Sequence, residues 1–338
     1  MGWINMCYEE FEKLVDKNFS GVIYISNDDE SYSKAYGYAD KSNLIPNEIT
    51  TRFPIASGSK GFVAVSILQL IEKGLLSFHT TIGQILDFDL HEIDKNITID
   101  QLLNHTSGIP DYFDEDVMDE YDELWVDYPM YKIRSSYDIL PLFIEKPMQY
   151  PKGSRFKYNN SGYVMLGIII EKVTGEKFDD YIKENIFKPC NMNDTGYFEL
   201  DRLPAKCANA YIYDEERGDF KTNIYSVDVK GTGAGGAFTT GRDMIKFWNC
   251  LLTYKLISKE LTQTMVSPQA QDDKEMYGYG VWLHRKDNGN YIYQLVGGDP
   301  GVSFNSFVDL ESNLRVAIIS NEENNVWKYG KSISEMFK

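Results

Sequence analysis

The sequence predicts an α+β fold, in which an antiparallel sheet built from both ends of the chain is flanked by helices and interrupted by an inserted all-helical lobe. Three observations predict it. Runs rich in β-branched and aromatic residues near the N-terminus, at 21–26 and 33–39, are typical of a β-hairpin. Strand-like runs alternate with turns again between residues 278 and 321, whereas the segment 79–203 has mostly helical periodicity.

The remaining elements follow from local patterns. The apolar run at 62–76 predicts a helix, and an amphipathic pattern predicts another at 8–15. Gly175 and Pro189 each follow a predicted helix as stop signals. The other predicted helices are 99–104, 136–145, 161–173, 178–187, 240–253, 258–265 and one from about 326, and the other predicted strands are 210–213, 220–225, 278–284, 291–295, 303–310 and 314–321.

We expect residues 1–338 to form a single unit with two lobes. Residues 1–78 and 225–338 would form the α/β lobe, and residues 79–224 the helical lobe. The chain shows no linker, internal repeat or low-complexity tract that would separate them. The cleft between two such lobes is the expected place for a small-molecule site.

The charge balance narrows the classes of partner. Lys and Arg total 34 against 51 Asp and Glu, which gives a net charge of −17. So strong an anionic excess argues against nucleic acid and anionic membrane surfaces as partners. The sequence contains no membrane-spanning apolar stretch and no secretory signal in residues 1–20, so we expect a soluble cytoplasmic protein. This sequence would not reveal a signal peptide that had already been removed.

The four cysteines, at positions 7, 190, 207 and 250, have no CxxC spacing. In a chain of 338 residues we expect buried thiols and neither a disulfide framework nor a zinc site.

Ser57 and Lys60 form the most informative pair in the chain. They lie three residues apart at the start of the predicted helix 62–76, and residues at this spacing share a helix face. A serine hydroxyl is a poor nucleophile until a neighbouring base takes its proton, and an amine can be that base if burial lowers its pKa. The tetrapeptide alone is a weak signal, because it occurs by chance in many chains.

Two further segments carry suitable chemistry. Tyr158 and Asn160 combine a phenol that can transfer protons with an amide that can position a lysine or a substrate. Leu295 and Val296 then lead from a predicted strand into the glycine-rich turn 297–301. Glycines there allow a substrate to lie against the strand edge, where a backbone N–H can stabilise an oxyanion.

With these segments in order, nearly the whole chain, from about residue 11 to 337, resembles the penicillin-recognising serine hydrolases. It is most similar to the branch of class C β-lactamases, D-alanyl-D-alanine peptidase-like proteins and β-lactamase-fold esterases. The resemblance implies a β-lactamase/transpeptidase-like fold. It is carried by the Ser57–Lys60 and Tyr158–Asn160 pairs together with LLNHTSGIP at 102–110, GYVMLG at 162–167 with EKVTG at 171–175, GGAFTTGRD at 235–243 and YGYG at 277–280.

The resemblance also implies roles. Ser57 would be the nucleophile that forms an acyl-enzyme, and Lys60 the adjacent base or charge that activates it. Tyr158 would transfer protons to the leaving group and later from water, and Asn160 would orient Lys60 and the substrate. The N–H groups of Ser57 and Gly298 would form the oxyanion hole. The sequence leaves open whether the lysine or the phenol is the base.

One element departs from the family pattern. Relatives that act on β-lactams or peptide C-termini usually carry Lys or His, then Ser or Thr, then Gly on the last strand. Alignment on Gly297 places Leu295 and Val296 at the first two positions. A charged hydrogen bond contributes about 1.5–3 kcal/mol, so its absence would weaken binding of a substrate carboxylate by about one to two orders of magnitude.

Other patterns are interpreted as structural. Residues 231–236 match GxGxxG, but Thr240 looks like the residue that starts the next helix, so the glycines end too early for a dinucleotide site. His105 is interpreted as structural. Residues 111–128 hold nine acidic residues among aromatic ones, which is typical of a solvated loop, with a lid at the cleft edge as the alternative.

We therefore expect a serine hydrolase that acts on a small molecule, a neutral carboxylic ester or amide, through a Ser57 acyl-enzyme and needs no metal or cofactor. The alternative within the enzyme class is a β-lactamase or D-alanyl-D-alanine carboxypeptidase-like penicillin-binding protein. The alternative outside it is a catalytically weak ligand-binding protein of the same fold. The sequence does not predict the oligomeric state.

Overall fold

The computed structural model describes residues 10–337. The first part of the helix predicted at 8–15 lies outside this range, as do Cys7 and much of the segment searched for a signal. Within the range, Glu12–Leu14 forms a 3₁₀ turn. Cys190 and Cys250 are buried free thiols, as the sequence predicts, whereas Cys207 is half-buried.

Across residues 10–337 no helix combines the length and apolar character needed to cross a membrane.

The regular elements of residues 10–337 are as follows. The strands are β1 Gly21–Ser26, β2 Ser31–Tyr36, β3 Tyr38–Asp40, β4 Ile45–Pro46, β5 Phe53–Pro54, β6 Tyr211–Asp214, β7 Asp219–Thr222, β8 Phe238–Thr239, β9 Ala270–Gln271, β10 Met276–Tyr277, β11 Trp282–Arg285, β12 Tyr291–Asp299, β13 Val302–Asp309 and β14 Leu314–Ser320. The α-helices are α1 Lys60–Glu72, α2 Ile82–Ile85, α3 Ile99–Leu103, α4 Asn160–Thr174, α5 Phe178–Ile182, α6 Gly241–Leu252, α7 Lys259–Met265 and α8 Val326–Met336. Shorter 3₁₀ turns include Ala56–Ser59, Tyr121–Trp125, Met130–Lys132, Ser136–Leu142 and Leu200–Arg202, and Lys183–Phe187 is a π-helical turn.

The central sheet joins the two ends of the chain. Its eight strands within the described range run in the order β2-β1-β14-β13-β12-β11-β10-β9, and every neighbouring pair is antiparallel. The N-terminal strand β1 pairs along its whole length with the C-terminal strand β14. This arrangement confirms the predicted α+β class with an antiparallel sheet. The lobe boundaries at 78/79 and 224/225 stay a prediction.

Alternate side chains of β1 and β14 are buried on opposite faces of the sheet. Ile23 of β1 and Ile318 of β14 pack with Ile333 of α8 on one face. Val22 and Ile319, each one position away, belong to the larger core on the opposite face. Successive side chains of a strand point to opposite sides, so both sides of this sheet are covered. Helix α1 lies in the larger core, which fixes its N-terminus beside the sheet.

Some predicted elements are wrong in extent. The second strand of the hairpin, predicted at 33–39, begins at Ser31 and ends at Tyr36. Gly37 follows with φ +67°, a left-handed conformation that glycine adopts readily and that interrupts the strand. Residues 278–281 are not a strand, because Gly280 has φ +70° and its backbone lies against the start of α1. In the segment predicted as mostly helical, residues 104–159 contain only 3₁₀ turns; one of them contains Pro141, which lacks the N–H that a helix interior requires.

Candidate active site

Ser57 lies in a strained turn beneath the sheet edge. It belongs to the 3₁₀ turn Ala56–Ser59, which leads directly into α1, so the predicted helix begins three residues after it. Ala56 has φ +45°, a conformation that costs free energy outside glycine. The N–H of Gly236 donates to the Ala56 carbonyl oxygen over 3.0 Å and holds the turn in place. Ser57 itself is half-buried and faces a cleft.

Lys60 is buried, with 1% of its surface exposed, and its amine contacts the Ser57 hydroxyl. Lys60 Nζ lies 2.8 Å from Ser57 Oγ and 2.9 Å from Asn160 Oδ1, and it also donates to the Ala234 carbonyl oxygen. Burial lowers the pKa of Lys60 to about 7, although the nearby carboxylate of Asp111 favours the charged form. Near neutral pH the amine is therefore present in both protonation states.

Tyr158 forms a hydrogen bond with Ser57 and lines the same cleft. Its ring stacks on Trp282 with centroids 5.5 Å apart, and Lys60 Nζ lies 5.0 Å from its ring centroid. Burial raises the pKa of Tyr158 well above its ordinary value, as does Tyr277, and a hydrogen bond with Ser57 offsets this only in part. The resting group is therefore a neutral phenol, which can donate a proton.

The N-terminus of α4 fixes Asn160. Asn159 caps the helix, since its side chain accepts from the N–H of Gly162 over 2.8 Å. The buried carboxylate of Asp111 accepts from the N–H groups of Asn160 and Ser161 over 2.8 and 3.1 Å. These bonds satisfy donors that a helix start leaves unpaired, and they place the Asn160 side chain against Lys60.

His105 lies beneath Tyr158 and stabilises the same segment. Its ring centroid is 4.4 Å from that of Tyr158, and its Nδ1 accepts from the Asn159 N–H over 3.1 Å. Burial, with a smaller contribution from the positive charge of Lys60, lowers the pKa of His105 well below its ordinary value. The imidazole is therefore neutral and supplies no positive charge to the cleft. This position agrees with its interpretation as a structural residue.

Strand β12 brings the glycine-rich edge against the Ser57 turn. A Cβ atom at Gly297 would lie 2.1 Å from the Ile55 carbonyl oxygen, so only glycine allows this approach. At Gly298 the same atom would meet nothing within 4 Å, because this position faces open space and lines the cleft. Leu295 is 2% exposed and packs on Gly61 of α1. Leu295 and Val296 do not line the cleft, so neither offers a substrate contact there.

The cleft over Ser57 has a volume of about 330 Å³ and a strongly acidic lining. Four of the eight sequence-predicted site residues line it, namely Ser57, Tyr158, Asn160 and Gly298. Lys60 lies behind Ser57 and contacts its hydroxyl, whereas Leu295, Val296 and Gly297 do not line the cleft. None of the described lining residues is a lysine, arginine or histidine. Six carboxylate side chains line it: Glu115, Asp119, Glu120, Asp228, Asp299 and Glu323.

Comparison with known proteins identifies the family. The family model described as Beta-lactamase matches residues 9–331. The chain belongs to the β-lactamase family. It is 40% identical in sequence to a penicillin-binding protein from Bacillus halodurans of known structure, with a TM-score of 0.91, covering 98% of this chain and 99% of the other.

Two other relatives extend this picture of the β-lactamase family. Penicillin-binding protein 4* of Bacillus subtilis is 29% identical over 331 residues, which span 93% of this chain and 70% of the relative. A D-amino acid amidase from Ochrobactrum anthropi, solved with D-phenylalanine, is 23% identical, with a TM-score of 0.82 and coverage of 99% of both chains. The amidase shows the shared β-lactamase/transpeptidase fold, which confirms the predicted architecture.

Sequence reasoning missed several groups of this β-lactamase-family site. The Ala234 carbonyl that accepts from Lys60 is a backbone atom in the glycine-rich segment 231–236, and no side-chain pattern could identify it. The glycines are required for packing: a Cβ on Gly235 would lie 3.0 Å from the Ala56 backbone. The role of Asp111 at the start of α4 is also hidden in the sequence, where this residue is one of nine acidic residues in the segment 111–128; part of that segment forms a wall of the cleft.

Proposed function

We propose that this protein is a serine hydrolase that forms an acyl-enzyme at Ser57. The observation that carries the proposal is the contact between the buried Lys60 amine and the Ser57 hydroxyl, 2.8 Å apart. Burial keeps the pKa of this amine at about 7, so its neutral form can accept the hydroxyl proton at neutral pH. The family membership supports the same chemistry.

The proposed reaction has two steps. Neutral Lys60 takes the Ser57 proton as the oxygen attacks the acyl carbon, and the N–H groups of Ser57 and Gly298 stabilise the oxyanion. Tyr158 gives a proton to the leaving group, and Asn160 holds Lys60 and the substrate. Water then attacks the acyl carbon and gives one proton to the Tyr158 phenolate, while Lys60 returns its proton to Ser57 Oγ and the acyl group leaves as a carboxylic acid. Because the pKa of Tyr158 is raised and that of Lys60 is lowered, the electrostatics favour lysine as the base.

The proposed substrate is a carboxylic ester or amide that carries no carboxylate, the neutral class that the sequence predicts. Leu295 is buried against α1, and among the described residues that line the cleft no cation is available to pair with a substrate anion. The six carboxylates would repel an anion further. A cytoplasmic location and the absence of nucleic-acid partners stay predictions.

A panel of acylating probes tests the proposal. The protein is incubated with a fluorophosphonate, a labelled penicillin and nitrophenyl esters, and each product is analysed by intact mass. We expect an adduct with the fluorophosphonate and turnover of the esters. A folded sample that forms no adduct with any probe would contradict the hydrolase proposal and favour the catalytically weak ligand-binding protein.

Penicillin binding is the second candidate, because relatives 29% and 40% identical are penicillin-binding proteins. If a missing carboxylate contact limits this activity, Leu295→His with Val296→Thr should raise acylation by carboxylate-bearing β-lactams by about tenfold to hundredfold. The measurement is the rate of labelled-penicillin incorporation. Val296→Thr alone is the control, since it adds no cation. Unchanged rates in a folded double variant would show that these positions do not set specificity.

Asp111 is proposed as a positioning residue, and its amide variant should change the pH profile. In Asp111→Asn a negative charge that favours protonated Lys60 is lost, so the pKa of Lys60 should fall further. The acidic limb of the acylation rate should therefore move to lower pH. One N–H at the start of α4 would also lose its acceptor, which should cost about 1–3 kcal/mol of unfolding free energy. An acidic limb at the parent pH would contradict this role.

A further inference from the structure

The carboxylates around Ser57 differ in whether a cation lies beside them. At one end, beyond Tyr158 and Asn160, the cleft adjoins a second cavity of about 260 Å³, whose lining combines six carboxylate side chains with Arg155 and Lys157. Lys157 forms ion pairs with Asp114 and Asp116 there. At the other end lie Asp228 and Asp299, which both also line the neighbouring hollow beneath Val302. No lysine, arginine or histidine lines that hollow among the described residues.

Asp299 lacks a partner at this end of the cleft. Its carboxylate has neither a hydrogen bond nor an ion pair with any residue in 10–337, and it directly follows Gly298 on the strand edge. Asp228 accepts hydrogen bonds from the Tyr121 hydroxyl, over 3.3 Å, and from its own backbone N–H. Burial, together with the negative charge of the neighbouring Asp228, raises the pKa of Asp299 to about 8. Burial also raises the pKa of Asp228, to about 6. The charge of Lys60 lowers both pKa values only in part, so near neutral pH Asp299 is mostly protonated in the empty cleft and would ionise when a cation binds beside it.

The orientation of the substrate assigns this end to the acyl group. In the proposed reaction Tyr158 protonates the leaving group, so the leaving group lies at the Tyr158 end. The acyl carbon lies at Ser57, within reach of the Gly298 N–H, and the rest of the acyl chain therefore extends along the edge towards Asp299. A group bound beside Asp299 would therefore belong to the substrate, because it would lie next to the acyl carbon that Ser57 attacks.

We propose that the acyl portion of the substrate carries a positive charge, an ammonium or guanidinium group, which Asp299 and Asp228 bind. The inference rests on the proposed function: the substrate stays an ester or amide without a carboxylate, but a cationic acyl group replaces the neutral one that the sequence predicts. A cation would supply the partner that Asp299 lacks and reduce the repulsion between the two carboxylates. A resident metal ion is not favoured, since residues 10–337 contain no group of three or more His, Cys, Asp or Glu side chains placed to hold one.

A matched pair of esters tests the charge without changing the shape. The cationic probe is the 4-nitrophenyl ester of 4-(trimethylammonio)butyrate, and the neutral probe is the 4-nitrophenyl ester of 5,5-dimethylhexanoate, in which carbon replaces nitrogen. The trimethylammonio group is charged at every pH. We expect kcat/KM for the cationic ester to exceed that for the neutral ester by about tenfold to hundredfold, the effect of one charged contact.

Single amide variants locate the effect. Asp299→Asn and Asp228→Asn should each reduce the ratio of kcat/KM for the cationic ester to that for the neutral ester by at least about fivefold, and the double variant should bring it close to one. Asp219→Asn is the matched control, because Asp219 is exposed on β7 and does not line the cleft, yet its loss changes the net charge equally. Its ratio should equal that of the parent.

The outcomes separate the two proposals. Turnover of both esters at equal kcat/KM, unaffected by Asp299→Asn, would overturn the cationic substrate and leave the hydrolase intact. An equal decrease of the ratio in Asp219→Asn would also overturn it, since long-range attraction by the net charge would then explain the preference. If neither ester acylates Ser57 in a folded sample, the hydrolase proposal itself fails.

Discussion

Replacing Lys60 with methionine is expected to slow acylation of Ser57 by about 10²–10⁴-fold, the contribution of a general base. Methionine fits the buried volume of lysine but cannot accept the Ser57 proton. The rate of adduct formation with a reactive nitrophenyl ester measures the effect, and thermal unfolding verifies the fold. Lys328→Met is the control, because Lys328 lies on α8, away from the cleft.

The parent protein should show the matching pH dependence. Because the folded pKa of Lys60 is about 7, the acylation rate should rise as pH increases through 7, where the amine loses its proton, and then level off. The carboxylates of Asp111, Asp299, Glu115 and Asp228 all favour the charged amine and so keep this value from falling lower. A Lys60→Met variant with parental rates, or a parent rate that falls through pH 7, would contradict the assignment of Lys60 as the base.

The second large effect is expected from Gly297→Ala. The added Cβ would lie 2.1 Å from the Ile55 carbonyl oxygen, a backbone atom that cannot turn aside, so β12 must move away from the Ser57 turn. Overpacking of this kind costs about 1–3 kcal/mol of unfolding free energy. Displacement of the edge by about 1 Å should also reduce kcat/KM by about a hundredfold.

Thermal unfolding and ester kinetics measure these two effects. The stability control is Gly298→Ala, where a Cβ meets nothing within 4 Å, so its unfolding temperature should match the parent. Equal unfolding temperatures for the two alanine variants would show that the close approach at Gly297 is not what positions the edge.

The sequence predicted the parts of the site that depend on local geometry. Ser57 and Lys60 are close in the chain at the start of a helix, so their contact follows from helical spacing. Tyr158 and Asn160 required the family resemblance, because a separation of 100 residues between Lys60 and Asn160 leaves no local signal. The predicted antiparallel sheet is present because the alternation in β1 and β14 buries both of their faces.

Other parts of the site depend on tertiary contacts. The pKa of Lys60 falls because the core surrounds it, which no tetrapeptide reveals. The Ala234 carbonyl reaches Lys60 only because the glycines of 231–236 allow close backbone packing. The net charge of −17 does not indicate where the carboxylates lie, and only the fold shows that Asp228 and Asp299 both line the cleft that contains Gly298. The alternative that residues 111–128 form a lid at the edge of the cleft stays a prediction.

The central claim, covalent catalysis at Ser57, is tested most directly by trapping the intermediate. The protein is mixed with a nitrophenyl ester, quenched with acid within the first turnover, digested and analysed by peptide mass. The account predicts one acyl group per chain on the peptide that contains Ser57, and no adduct in Ser57→Ala. Ester turnover without an adduct on that peptide, or an equal adduct in folded Ser57→Ala, would contradict it.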